Sequence, residues 1–234
     1  WWKELTKKSL SPERLHEILS IYIEGMNIAQ QILPTAQWGY WGLPMLRHTG
    51  AAWEEQGLSL QPLTLCSTAL YPDIYDDSKG KPQTTRTKNH VSKVLEMAHG
   101  QVPVYVFASP RFTGEGGDHS LFVPDDVFLQ QVNAAMQAVW VDADKVQHRI
   151  QGVIFWDTYG FTPEAEWEEL DKKHKYYFEL LQALATAWKE ASVQVQVHDE
   201  QLHSPFCRFG LPEPRNSAET ILSTKRIEER APGQ

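Results

Sequence analysis

Aromatic and acidic residues follow three of the predicted strands of this sequence, at the points where the strands end. The set comprises Tyr40, Trp41, Tyr71, Asp73, Tyr75, Trp156 and Asp157. Because the carboxyl ends of parallel strands meet at one edge of a sheet, we expect these side chains to lie close together. Aromatic rings stack on the apolar C–H faces of pyranose rings, and carboxylates and phenols bond sugar hydroxyls. The set therefore predicts a site that binds carbohydrate.

Strand-like and helix-like segments alternate along the chain and would position these residues. The predicted strands cover residues 37–42, 63–68, 102–107 and 152–156. The predicted helices cover residues 12–32, 49–56, 83–99, 124–148 and 162–191. This alternation is typical of βαβ units in a parallel sheet, and the continuous apolar strands suit a sheet covered on both faces.

The predicted fold is α/β, a (β/α) TIM-type barrel of which this chain supplies about four C-terminal βα units. A complete barrel has twice as many units, and half a barrel leaves open parallel edges. We therefore expect an upstream half barrel or a second copy of the chain to complete it, unless the strands form a non-barrel sheet. The half barrel would span residues 1–191. Residues 192–234 would form an edge strand, from the alternating run 193–197, and a loop-rich tail.

Composition excludes several other classes of protein. The formal net charge of −8 argues against nucleic acid as a partner, and no apolar run approaches the roughly 18 residues of a membrane helix. The two cysteines, Cys66 and Cys207, define no disulfide framework. No metal-ligand spacing, dinucleotide fingerprint or phosphate loop is present, so we expect no metal and no cofactor.

The residues alone leave two hypotheses about the function open. One is a non-catalytic carbohydrate-binding or structural half barrel, paired with itself. The other is a complete hydrolase that uses Asp157 with Asp73 or Glu115 as an acid pair.

Three strand-end motifs resemble successive late strands of the hyaluronidase family of glycoside hydrolases. They are Trp-Gly-Tyr-Trp-Gly-Leu-Pro at 38–44, Ala-Leu-Tyr-Pro-Asp-Ile-Tyr at 69–75 and Gly-Val-Ile-Phe-Trp at 152–156. The intervening helix that begins near His90 and the run 102–106 also fit. The resemblance extends from about residue 1 to residue 161.

The resemblance implies a retaining hydrolase on a distorted barrel that cleaves polysaccharides containing N-acetylhexosamine. In that family the acetamido oxygen of the substrate attacks the anomeric carbon, and the Glu of an Asp-x-Glu motif protonates the leaving group. Tyr75 matches the family tyrosine of the reacting-sugar subsite, and Trp156 matches the tryptophan that walls it. Trp41 stands where the family has a tyrosine that orients the acetamido group, with Tyr40 beside it.

The sequence also departs from the family. No Asp-x-Glu motif precedes the helix 12–32, so the resemblance places the catalytic acid upstream of Trp1. Met45 and Leu46 stand where the family has a disulfide cysteine. We therefore expect a distant relative, and the resemblance alone favours a secreted or periplasmic location.

Overall fold

A computed structural model of the chain describes residues 11–44, 60–76, 82–113 and 118–199, with residues 191–199 described by their backbone alone. Packing divides the chain into one unit at Trp1–Lys189 and another at Glu190–Gln234. The described elements belong to the first unit, apart from the end of the last helix. The predicted helix 49–56 lies outside the described residues, as does Cys207.

Helices are the longest regular elements among the described residues. They are α1 (Pro12–Ile32), α2 (Gln61–Cys66), α3 (Thr84–Ala98), α4 (Asp125–Met136) and α5 (Trp167–Asp199). The helix α1 has the predicted bounds. Its N-cap Ser11 accepts a hydrogen bond from the Arg14 amide at 3.2 Å, and Pro12 occupies the first helical position, where no amide hydrogen is needed.

Parallel pairing joins segments that follow one another along the chain. Strand β1 (Tyr105–Ala108) pairs in parallel with β4 (Gly152–Phe155). On the other side of β1, parallel bridges join Val104 to Leu70 and Phe107 to Asp73. A further parallel bridge joins Tyr71 to Trp41. The fold is thus mixed helix and strand, with neighbouring parallel segments in sequence order. The described residues hold only two short sheets, and these do not close into a barrel.

The helices cover one face of this parallel array. Leu70, Val104 and Val106 are fully buried in a core that side chains of α3, α4 and α5 complete. Side chains alternate along a strand, so the intervening residues Tyr71 and Tyr105 lie on the opposite face and are only half-buried. The predicted site residues of the segment 71–75 therefore lie on the face that the helices leave open.

The predicted strand 63–68 is wrong, because residues 61–66 form α2. Pro62 lies in the first turn of this helix, and Leu63 and Thr64 are its buried residues. A short apolar run is compatible with either a strand or a buried helix, and periodicity does not separate the two. The extended segment begins a few residues later, where Leu70 bridges Val104.

The predicted helix 124–148 is also wrong beyond Met136. The remainder forms an antiparallel hairpin of β2 (Trp140–Val141) and β3 (Gln147–His148). The Asp142 carboxylate accepts a hydrogen bond from the Val146 amide at 2.9 Å, and Lys145 adopts a positive φ of 69°. This aspartate-initiated turn competes with helix because the side chain satisfies the backbone donor locally.

The alternating run 193–197 is not an edge strand. It belongs to α5, which continues to Asp199, eight residues past the predicted end at residue 191. No proline or glycine interrupts the sequence from 167 to 199, so nothing stops the helix. Extending an existing helix by a few residues is more favourable here than starting a strand, even though the run alternates between apolar and polar residues.

We expect the protein to lose stability as the pH falls from about 6.5 towards 4, in part through His90 on α3. Burial, with the positive charges of Arg86 and Lys93, lowers the pKa of His90 from 6.5 to about 4. Between pH 4 and pH 6.5, His90 is therefore protonated in the unfolded chain but neutral in the folded chain. The free energy of unfolding consequently rises with pH over this range. Solvent screening of a half-buried ring limits the effect to about 1 kcal/mol.

Urea unfolding at several pH values measures this contribution. His90→Gln should flatten the curve between pH 4 and pH 6.5, and His16→Gln, which alters an exposed histidine of α1, should not. Parallel curves for the wild type and His90→Gln would contradict the assignment.

Candidate functional site

Three aromatic rings stand side by side across the ends of three parallel segments; we call Trp41, Tyr75 and Trp156 the aromatic row. The ring centroids of Trp41 and Tyr75 are 6.1 Å apart with an interplanar angle of 36°. Those of Tyr75 and Trp156 are 5.6 Å apart at 23°, which is a stacked arrangement. The structure therefore brings together three residues that are each more than thirty positions apart in the sequence.

Backbone pairing fixes each member of the row. The amide of Gly42, next to Trp41, donates to the Tyr71 carbonyl at 2.8 Å, and Gly42 takes a positive φ of 77°. The amide of Ile74 donates to the Phe107 carbonyl at 2.9 Å, and the amide of Trp156 donates to the Ala108 carbonyl at 3.0 Å. The rings therefore emerge where ladder hydrogen bonds still hold the backbone, which limits their freedom before any ligand binds.

The row combines apolar ring faces with one oriented hydroxyl. Trp41 Nε1 donates a hydrogen bond to the Tyr75 hydroxyl at 3.2 Å. Trp41 is 44% exposed, while Tyr75 and Trp156 are half-buried. Tyr75 and Trp156 turn one face towards each other, so a sugar can stack only on an outer ring face of the row, with the phenol available at its edge.

Asp157, next to the row in sequence, lies in a buried ionic network instead of on the open face. Its side chain is 1% exposed, and its Oδ2 accepts a hydrogen bond from Arg111 Nε at 2.8 Å. The same oxygen lies 2.6 Å from His174 Nε2, and Oδ1 accepts the Thr158 amide at 2.8 Å. Every carboxylate oxygen is thus engaged by protein, which suits a positioning role and not an acid at the surface.

Arg111 links three parts of the chain through this network. Its side chain is 2% exposed, and Nη1 donates to the His119 carbonyl at 2.9 Å. Nη2 donates to the Thr162 hydroxyl at 2.7 Å. The guanidinium also lies over the Phe122 ring, with 4.6 Å between Cζ and the centroid. Arg111 and His174 were not among the predicted site residues, because their partners are remote in sequence.

Tyr40 and Tyr71 do not join the aromatic row. The Tyr40 hydroxyl donates to the Tyr22 carbonyl at 2.6 Å, and burial raises its pKa. The Tyr71 hydroxyl donates to the Gln37 carbonyl at 2.8 Å, and its ring stacks on Tyr105 with centroids 6.0 Å apart. Both phenols therefore tie backbone segments together and are not part of the row.

Asp73 is the acidic residue that shares a face with the row. It lies between Tyr71 and Tyr75 on the same half-buried side of the segment, and its backbone forms a parallel bridge with Phe107. Glu115, its alternative partner in an acid pair, lies outside the described residues. Within the described ranges no three His, Cys, Asp or Glu side chains come together to hold a metal ion. None of the helices described there has the length and apolarity to cross a membrane.

The fold resembles part of a glycoside hydrolase of known structure. No protein-family model matches the chain, and no curated protein matches it. Among solved structures, bee venom hyaluronidase in complex with a hyaluronic acid tetramer is similar, with a TM-score of 0.50 and 13% identity. The match covers 64% of this chain and 47% of that chain. A monoclinic crystal structure of bee venom hyaluronidase gives a TM-score of 0.49 at 14% identity, covering 66% of this chain and 50% of that one.

This chain therefore spans about half the length of the hyaluronidase that it resembles. At such low identity the likeness concerns the fold alone. The predicted resemblance is confirmed to that extent, as a distant structural similarity.

Proposed function

We propose that the chain is part of a glycoside hydrolase that holds a polysaccharide containing N-acetylhexosamine on the aromatic row. The observation that carries the proposal is the row itself, three rings from three separate segments assembled at the carboxyl ends of parallel strands. In parallel α/β folds this is the edge where substrates bind. The fold likeness to a hyaluronidase supports the same class.

Within this proposal Tyr75 contacts the reacting sugar and Trp156 forms the wall against which the sugar stacks. Trp41 Nε1 donates to the Tyr75 hydroxyl, which orients the phenol as an acceptor towards Trp41 and a donor towards the acetamido group. A preoriented donor at the atom where charge develops lowers the barrier more than one that must reorient. Asp73 would bond sugar hydroxyls from the same face.

Three further residues, Tyr40, Tyr71 and Asp157, are proposed to position the row. Each lies next to a residue of the row in sequence or on the same extended segment, and each is hydrogen-bonded to protein atoms, of Tyr22, Gln37 and Arg111 respectively. Their contact with substrate would be indirect. The acid pair of Asp157 with Asp73 is not retained, because a carboxylate that is 1% exposed and bound to Arg111 cannot serve as a surface acid.

We propose that this chain forms a (β/α) barrel together with an upstream half, and that the upstream half carries the catalytic acid. The parallel order of the Trp41 segment, the segment 70–73, β1 and β4 follows the chain, as in a barrel. Among the described residues no further strand pairs with the outer edge of the Trp41 segment or of β4, and open parallel edges are unfavourable. A second copy of the chain is the alternative partner. Residues 1–191 would form this half, and residues 192–234, of which the first continue α5 to Asp199, would form a tail.

Trp156→Ala should weaken oligosaccharide binding about tenfold, which corresponds to about 1.4 kcal/mol. The change removes one wall of the row, and truncation of a central aromatic residue typically has at least this effect. Isothermal titration calorimetry with hyaluronan tetrasaccharide and chitotetraose measures it. Trp188→Ala is the matched control, since this half-buried indole on α5 donates to Asn133 and lies outside the row. Equal affinities of wild type and Trp156→Ala for both sugars would reject the site.

A further inference from the structure

A second group of exposed aromatic rings lies just beyond the carboxyl end of β4. Tyr159 is 41% exposed, Phe161 38% and Trp167 40%; we call these three residues the second patch. The centroids of Tyr159 and Trp167 are 5.1 Å apart at 72°, and Phe161 stacks on His119 with centroids 4.5 Å apart. None of the three belongs to the hydrophobic clusters of the described residues.

Hydrogen bonds hold two of the three rings of the second patch in place. The Tyr159 hydroxyl donates to Asp171, and Trp167 Nε1 donates to the Thr162 carbonyl at 3.2 Å. Their polar atoms are therefore already satisfied by protein, and what the rings offer to a ligand is apolar face. Aromatic surface of this kind, fixed and exposed, is characteristic of a binding site and not of a core.

The buried Arg111 secures the loops that carry the patch. Its two terminal nitrogens bond the His119 carbonyl and the Thr162 hydroxyl, so the loop under Phe161 and the turn before Trp167 are joined through one guanidinium. The Arg111 partner Asp157 follows Trp156 directly in sequence. The patch and the aromatic row therefore rest on the same network.

The surroundings of the second patch are acidic. Exposed carboxylates lie on the same turn and on the first turns of α5, at Glu164, Glu166, Glu168, Glu169 and Asp171. Lys172 is paired with two of them, at 3.2 Å from Glu168 and 3.6 Å from Glu169. An excess of negative charge repels anionic chains and attracts positively charged ones.

We propose that the second patch is a further carbohydrate-binding surface, which takes neutral or positively charged amino-sugar residues of the chain that lies on the aromatic row. The inference rests on the proposed function, which supplies that chain. Three residue steps separate Trp156 from Tyr159, so their Cα atoms are at most about 11 Å apart, a gap that a few sugar units can span. The acidic surroundings disfavour sugar units that carry a carboxylate, such as uronic acids. They accept amino sugars, whose amino group is either acetylated and neutral or free and positively charged.

Trp167→Ala and Phe161→Ala test the inference in the full chain. The probes are a chitosan decasaccharide, which carries free amino groups, and chitobiose, which is too short to reach both surfaces. Each variant should weaken binding of the decasaccharide about tenfold and leave binding of chitobiose unchanged. Phe178→Ala is the control, because this ring is 46% exposed on α5 but lies outside the patch. Unfolding temperatures should match the wild type, since the altered rings are exposed.

The outcomes separate this inference from the proposed function. If Trp156→Ala weakens binding of both probes while Trp167→Ala and Phe161→Ala change neither, the row stands and the second patch is rejected. If the wild type binds neither probe nor hyaluronan oligosaccharides, both are rejected. A loss of hyaluronan decasaccharide binding in Trp167→Ala as large as that for chitosan would overturn the selection by charge.

Discussion

Asp157→Ala is expected to lower the free energy of unfolding by about 3–5 kcal/mol, because it leaves a buried guanidinium without its counter-ion. Arg111 is 2% exposed and its Nε lies 2.8 Å from Asp157 Oδ2, so water cannot replace the lost carboxylate. His174 loses its partner in the same step. Urea unfolding followed by intrinsic tryptophan fluorescence measures the change.

Two further variants show that the effect belongs to the buried pair. Glu17→Ala removes the acid of the exposed Arg14–Glu17 pair, whose side chains are 46% and 61% exposed, and should change stability by about 0.5 kcal/mol or less. Arg111→Met combined with Asp157→Leu should be less destabilising than the sum of the two single changes, because neither charge is left alone. A change in Asp157→Ala no larger than in Glu17→Ala would contradict the network.

This prediction also distinguishes a positioning residue from a catalytic acid. A carboxylate that acts as the acid would be replaceable by asparagine with loss of turnover and little loss of stability. Asp157 instead anchors Arg111, which holds the loops at His119 and Thr162. Its replacement should therefore weaken folding and sugar binding together.

The aromatic row was predictable from sequence because each of its residues stands at the end of an extended segment, which is a local feature. Each ring follows an extended run, and parallel segments that succeed one another along the chain end at the same edge. That rule brings Trp41, Tyr75 and Trp156 together without any knowledge of their contacts. The backbone pairing of the described residues agrees with it, from the Trp41–Tyr71 bridge to β4.

Alternation along an extended segment explains why two of the predicted site residues, Tyr40 and Asp157, lie outside the row. Tyr40 precedes Trp41 by one residue and bonds the Tyr22 carbonyl of α1 instead of a neighbour in the row. Asp157 likewise follows Trp156 by one residue and is buried. Neighbours in a strand face opposite sides, so an aromatic or acidic pair contributes only one side chain to a given surface.

The buried network could not be predicted because its partners come from distant positions. Arg111 and Asp157 are 46 residues apart, and His174 lies 17 residues beyond Asp157. No periodicity within β4 or α5 marks the pairing. Similarly, the end of α4 at Met136 depends on the turn at Asp142, where a side chain competes with the helix for backbone donors.

Tyr75→Phe is expected to lower turnover of an N-acetylhexosamine polysaccharide about 100-fold in the full-length natural polypeptide. The phenol is the proposed donor to the reacting acetamido group, and removal of one such preorganised donor typically has an effect of this size. Stability should change much less than turnover, because the Trp41 side chain that donates to Tyr75 is 44% exposed and its Nε1 can bond water instead. New reducing ends released per unit time provide the measurement.

Tyr176→Phe is the matched control for Tyr75→Phe. It also removes a single phenol hydroxyl, but one that joins α5 to α4 by donating to Asp125 Oδ2 at 2.7 Å and has no part in the row, so turnover should match the wild type. Equal turnover in Tyr75→Phe and the wild type would reject the role of Tyr75 in the reaction. If the wild type binds oligosaccharide but releases no reducing ends, the chain is a non-catalytic carbohydrate-binding half barrel. In that case Tyr75→Phe should lower the affinity for oligosaccharide.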